Sequence, residues 1–177
     1  QVFMPQGQGG RPAAQGSADV ANAVEGLAVS RQGSEQNKLF LRGIADSPFG
    51  GRGQETVAIL LDDARETVTA PDPDIRLVDV DRVEVLKGPQ GSLYGSGALG
   101  GIYRVVVNRS DAAVLSFAGG GSVTHAGDGD RSASGSLIAN VPLVPDALAL
   151  RLVAYGESAP GWVDTGERAD SNGTKAA

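Results

Sequence analysis

The sequence predicts two successive architectures: an α+β domain of short mixed elements over residues 1–110, then an antiparallel β region over residues 111–177. Three observations carry this. Val83–Val107 holds glycines at 88, 91, 95, 97, 100 and 101 between two runs of β-branched and apolar residues, which reads as strand, compact turn, strand. Thr56–Leu61 is a continuous apolar run of strand length, closed by Asp62-Asp63. From Ala133 the pattern becomes alternation with period two, in which successive side chains point to opposite faces of a sheet.

The elements follow in order. Gln1–Gly16, rich in Gly, Gln and Pro, predicts irregular chain. Ser17 is the expected N-cap of a short helix through Val24, stopped by Gly26. Leu27–Ser30 and Leu39–Arg42 predict short strands around a polar loop, Arg31–Lys38. Ala45–Gln54 and Arg65–Asp74 predict exposed loops on either side of the Thr56–Leu61 strand. Ile75–Val80 is expected to form one helical turn, and Val83–Leu86 and Ile102–Val107 to form strands. In the second region, Ala133, Gly135, Leu137, Ala139, Val141 and Leu143 share one face. Leu148, Leu150, Leu152 and Ala154 repeat the pattern, and Ala113–Thr124 is a weaker strand before them. Such alternation fits the first strands of a membrane barrel, and equally a water-soluble sheet with one wet face.

Composition narrows the function classes. The 177 residues carry a net charge of −6 with no basic block, which argues against nucleic acid, whose phosphates need clustered Lys and Arg. Cysteine is absent, so thiolate chemistry and disulfides are excluded. No apolar run is long enough for a spanning helix, a fact that leaves spanning strands open. The opening residues lack the charged and apolar regions of a signal peptide, which suggests a removed leader or an internal piece of a longer protein.

Chemical motifs are sparse. Gly95–Gly100 matches GxGxxG literally, but a strand follows where a dinucleotide site needs a helix, and residues 115–127 hold no acidic partner. A glycine turn between strands accounts for it. His125 sits in a predicted turn, and its acidic neighbours Asp128 and Asp130 match no established ligand spacing, so neither metal nor cofactor is expected. Turn chemistry explains Asp62-Asp63, and no Ser/His/Asp, Cys/His or paired-carboxylate arrangement stands out, so the chain does not read as an enzyme. Arg42-Gly43 and Lys87-Gly88 each set a long cation beside a glycine at a strand end. Each is either a surface cation guarding a sheet edge or one half of a charge-assisted contact with another structural unit.

Taken together, LFLRGI at Leu39–Ile44, TVAILLDD at Thr56–Asp63 and VDVDRVEVLKGPQGSLYGSGALGGIYRVVV at Val78–Val107 resemble, in order and spacing, the plug of a TonB-dependent outer-membrane receptor. The resemblance spans about Ala18–Arg109, and the alternating strands stand where the family's barrel begins. It implies an N-terminal piece of a plug-filled, 22-stranded transmembrane barrel in the bacterial outer membrane. It further implies TonB-driven import of a small-molecule ligand such as a ferric siderophore, with TonB and outer-membrane lipid as partners. By the same resemblance Arg42, Lys87 and Arg104 are expected at the plug–barrel boundary, and Arg31, Gln36, Asn37, Phe49 and Arg52 near the ligand. The TonB box is expected upstream of Gln1. Two departures stand out: Lys87 occupies a position that is commonly Arg, and Ile102-Tyr103-Arg104 replaces a more usual small and apolar sequence after the double glycine. The competing expectation is a soluble β-rich module that binds glycan or peptide.

Overall fold

A computed structural model describes residues 1–5, 16–33, 36–45, 56–66, 72–125, 131–159 and 174–176. The chain divides into two compact units, Gln1–Asn108 and Arg109–Ala177.

In the first unit β1 (Val2–Phe3) is followed by α1 (Ser17–Ala23), β2 (Leu27–Gly33), β3 (Gln36–Leu41), β4 (Val57–Leu61), β5 (Ala64–Arg65), β6 (Asp72–Pro73), β7 (Val80–Lys87), α2 (Gly91–Tyr94) and β8 (Gly101–Val107). They form two sheets, one in the order β1-β7-β8-β4-β5 and the other β2-β3-β6. β8 lies at the centre of the larger sheet, antiparallel to β7 and parallel to β4. Both faces of that sheet are covered. Val57, Ile59, Val83, Val85, Tyr103 and Val105 pack with Val20, Val24, Leu27, Leu39 and Leu41 from α1 and the smaller sheet. Ala58, Leu60 and Ile102 pack on the other face under Tyr94 and Ala98 of the glycine-rich segment. Double coverage explains why β4 is apolar at every position rather than alternating.

Four local expectations are corrected. The N-cap of α1 is Gly16, and Ser17 is the first helical residue, because its amide and hydroxyl both bond Asp74 instead of closing the helix end. Within the expected polar loop Arg31–Lys38, residues 31–33 and 36–38 are strand, since β2 and β3 pair from Leu27↔Leu41 to Gly33↔Gln36. Polarity there had pointed to a loop, but cross-strand pairing outweighed it. Asp72-Pro73, within the expected loop Arg65–Asp74, extends the β3 edge as β6. Ile75–Val80 forms no helix; Leu77 and Val80 turn into the core and Val80 opens β7. Most of the expected loop Ala45–Gln54 lies outside the described residues.

The glycine-rich segment closes tightly. Gly88 N donates to Gly100 O at 2.9 Å and Gln90 N to Ala98 O at 2.9 Å, so the segment folds back on itself as a compact hairpin. At Gly101 (φ +141°) a Cβ would lie 2.1 Å from Leu86 O and 2.8 Å from Leu41 Cδ1. No side chain fits. The helix of a dinucleotide site does not form, because the chain enters β8 directly at this residue.

The second unit is one antiparallel sheet, β12-β11-β10-β9, of β9 (Ser116–His125), β10 (Arg131–Val144), β11 (Leu148–Ala159) and β12 (Thr174–Ala176). Register aligns the alternation across strands: Val123, Ala133 and Ser158 lie abreast, as do Gly119, Leu137 and Ala154, and Phe117, Ala139 and Leu152. One face is therefore apolar from strand to strand. The other carries Ser122, Thr124, Ser132, Ser134, Ser136, Asn140 and Arg151 together with Ala118, Ile138, Val153 and Tyr155. Among the described residues no helix is long and apolar enough to cross a membrane.

Gly101→Ala should lower the stability of the first unit by roughly 3 kcal/mol or more, because a backbone carbonyl must move to admit the methyl group. Gly88→Ala, at φ +97° with nothing within 4 Å, should cost only about 1 kcal/mol. Chemical denaturation of the two variants checks the difference; equal costs would contradict the close approach.

Candidate functional site

Three polar clusters distinguish the first unit. The first gathers Arg42 and Lys87 at Gly26. Arg42 adopts φ +53°, and its amide donates to Gly26 O at 2.7 Å, which fixes the turn after β3 against the start of β2. A Cβ built on Gly26 would lie 3.7 Å from Arg42 Cγ and 3.8 Å from Lys87 Nζ. The aliphatic stem of Arg42 and the ammonium of Lys87 thus flank one glycine. Lys87 Nζ donates to Gln1 Oε1 at 3.3 Å, and among the described residues neither cation makes an ion pair.

The second cluster contains Arg104. Its neighbours in register are Glu84 on β7 and Leu60 on β4. Arg104 Nη1 donates to Glu84 Oε2 at 3.1 Å, Nη2 to Asp63 Oδ1 at 2.7 Å and Nε to Asp62 O at 2.7 Å. Arg82 Nε donates to the other oxygen of Glu84 at 2.7 Å. The structure therefore spends the Arg104 fork inside the first unit, on the turn between β4 and β5 and on β7. Asp62 completes the brace from a left-handed conformation (φ +52°), with its carboxylate accepting from Val107 N at 3.1 Å. The Arg82 hydrogen bond holds the Glu84 carboxyl below its usual range; burial opposes this and the Arg104 bond adds to it.

The third cluster is internal. Ser17 Oγ donates to Asp74 Oδ1 at 2.8 Å, and Asn37 Nδ2 donates to Ser17 Oγ at 2.6 Å. Asp72 Oδ2 accepts from Leu39 N at 3.0 Å and lies 3.9 Å from Lys38 Nζ, with both side chains 3% exposed. Because β6 is only two residues long, Leu39 N has no strand partner there, and the Asp72 carboxylate takes its place. Tyr103 reaches the same region. Burial pushes its hydroxyl up from the ordinary tyrosine range, with the Asp74 and Asp19 carboxylates adding to the effect.

The expected ligand contacts separate accordingly. Arg31 is exposed on β2, whereas Asn37, opposite it in register, is 2% exposed and held by Ser17. Asn37 is thus an internal brace and not an exposed residue of the polar loop expected there. Gln36 lies in β3, while its side chain, Phe49 and Arg52 lie outside the described residues. Glu84, Asp62, Asp63, Ser17, Asp72 and Asp74 were missed as functional partners. The turn signal Asp62-Asp63 was visible, but only strand register brings it to Arg104.

With this geometry in view, the comparisons are specific. The model of the TonB-dependent receptor plug domain matches residues 4–102, over half of the chain, so this chain belongs to that family. It is 32% identical over 99 residues to the vitamin B12 transporter of Vibrio vulnificus, across 53% of this chain and 15% of that protein. It is 47% identical over 45 residues to the pesticin receptor of Yersinia pestis, across 25% of this chain and 7% of that one. The ferric yersiniabactin uptake receptor of Yersinia pestis superposes with a TM-score of 0.69 at 23% identity, over 83% of this chain and 22% of that structure. The chain thus spans only a small part of the length of the proteins it matches, and it has the plug-domain fold followed by antiparallel strands.

Two outcomes follow from the clusters. Glu84 has a depressed folded-state pKa, so its stabilisation is present above the ordinary carboxylate pKa and is lost as pH falls through the folded value. Glu84→Gln should therefore destabilise the plug at pH 7, and by less and less as the pH drops below about 4. Denaturation across that range checks it; a pH-independent difference would refute the brace. Asn37→Leu should cost about 1–3 kcal/mol of plug stability by stripping Ser17 of a buried donor, measured by the same denaturation.

Proposed function

We propose that this chain is the plug and the first wall strands of a 22-stranded outer-membrane barrel that imports a small ligand, such as a ferric siderophore, under TonB control. The carrying observation is the plug fold followed directly by long antiparallel strands that present one continuous apolar face. Phe117, Val123, Leu137 and Leu152 on that face are 55–73% exposed. In water such a face is a liability; against hydrocarbon it is the outer surface of a barrel wall, with the serine-lined face turned inward. A soluble glycan- or peptide-binding module would have to cover it.

In this reading the protein transports and does not catalyse. Ligand is taken from outside on plug and barrel loops, with Arg31, Gln36, Phe49 and Arg52 as the candidate contacts. TonB, powered from the inner membrane, then displaces the plug. Arg42 and Lys87 anchor plug to wall by facing carboxylates on later strands, a reading supported by their lack of an ion-pair partner among the described residues. Arg104 instead stiffens the plug from within, and the exposed Asp63 at its far end is the part of that cluster open to a neighbour. The relatives' names, a vitamin B12 transporter, a pesticin receptor and a ferric yersiniabactin uptake receptor, support uptake of an external ligand, in one of them ferric.

Arg42→Ala or Lys87→Ala in the full-length receptor should raise passive entry of a bulky antibiotic or lower ligand uptake, and uptake by the unaltered receptor should vanish in cells lacking TonB. Unchanged permeability and uptake in both variants would remove the anchoring role. TonB-independent uptake would remove the transport reading.

A further inference from the structure

Asn140 is a fully buried polar residue of the second unit, on the serine-lined face of β10. Its three side-chain hydrogen bonds all go to one short stretch of main chain. Its Oδ1 accepts from Asp111 N at 2.8 Å, and its Nδ2 donates to Asp111 O at 2.8 Å and to Val114 O. The site offers one donor and two acceptors, so only one orientation of the amide satisfies it. Asp111 Oδ1 accepts from Ala113 N at 2.8 Å, closing the same turn. Further along, Asp146 N donates to Ala112 O, which ties this turn to the β10–β11 connection.

A second asparagine closes the end of the first unit. Asn108 Nδ2 donates to Asp79 Oδ1 at 2.9 Å and Asn108 N to Asp79 O at 3.0 Å, with Asp79 in a left-handed conformation (φ +57°). Two pins therefore bracket the connection. Between them lie only Arg109 and Ser110, both exposed.

We propose that Asn140 is a positioning residue that latches the plug–wall junction to the inner face of the second wall strand. The junction then stays closed while the rest of the plug is remodelled, and movement at this end is confined to Arg109–Ser110. The proposal rests on the transport reading for its meaning, but the latch itself is measurable without transport. Three hydrogen bonds from a side chain with no solvent access are lost together when it is removed, and two carbonyls and an amide are left unpaired. The latched turn, Asp111–Val114, lies against Asn140 on the face of β10 opposite Leu137 and Ala139.

The test uses the full-length receptor in detergent or native membranes, with barrel assembly followed by heat-modifiable migration on gels. In Asn140→Asp the acceptor for Asp111 N survives, but a carboxylate oxygen faces the two carbonyls; in Asn140→Leu all three bonds go. In both, hydrogen exchange across residues 111–115 should speed up by roughly tenfold or more, with passive entry of a bulky antibiotic raised. Asp111→Ala removes only the Ala113 bond and should leave the Asn140 contacts and low permeability in place. Unchanged exchange in assembled Asn140→Asp would overturn the latch. So would failure of both Asn140 variants to assemble beside a normal Asp111→Ala, which would make Asn140 an assembly residue. A latch confirmed in a receptor whose uptake proves TonB-independent would sink the transport reading and leave the latch standing.

Discussion

At Gly101 the main chain of β8 passes so close to the Leu86 carbonyl and the Leu41 side chain that only hydrogen fits on Cα. That approach sets the register of β8 against β7, where Lys87 pairs with Gly101, and against β4, where Val57 pairs with Gly101. Both sides of the central strand are therefore fixed at one residue. From this register come the two packed faces, with Tyr103 and Val105 on one side and Ile102 on the other. The glycine-rich segment then lies back over the second face through Tyr94 and Ala98. A larger residue at this point would disturb the whole domain through the backbone, a route that core repacking cannot relieve.

The same register makes the charges intelligible. Arg104 occurs in the middle of an otherwise apolar strand, where an unpaired guanidinium would be costly. Its neighbour in register is Glu84, and the β4–β5 turn brings up Asp62 and Asp63, so every arm of the fork finds an oxygen. Arg42 and Lys87 receive the opposite treatment. Both lie beside Gly26, and neither has a counter-charge among the described residues. The contrast separates a brace internal to the plug from two cations that no carboxylate of the described residues neutralises.

In the second unit, hydrogen-bonded register carries the alternation of each strand across its neighbours, which turns three separate patterns into one apolar face. Asn140 interrupts the run of small residues on the opposite face. It does so beside the Asp111–Val114 turn, and its buried amide makes three hydrogen bonds to that turn.

Much was legible without coordinates, because it depends on local stereochemistry. Glycine spacing at 88–101 fixed a strand–turn–strand unit, the run Thr56–Leu61 a buried strand, and period two from Ala133 a sheet with unlike faces. The order of those segments identified the family. Tertiary structure decided the rest, since the deciding partners are distant in sequence. Ser17 abandons capping for Asp74, 57 residues away, and residues 31–33 and 36–38 of polar Arg31–Lys38 become strand, with Asn37 buried against Ser17. Arg104 looked like a surface cation until β7 and the Asp62-Asp63 turn were placed beside it. Local sequence specifies what a segment can form; which buried polar groups satisfy one another is specified only when sheets and turns bring them within hydrogen-bonding distance.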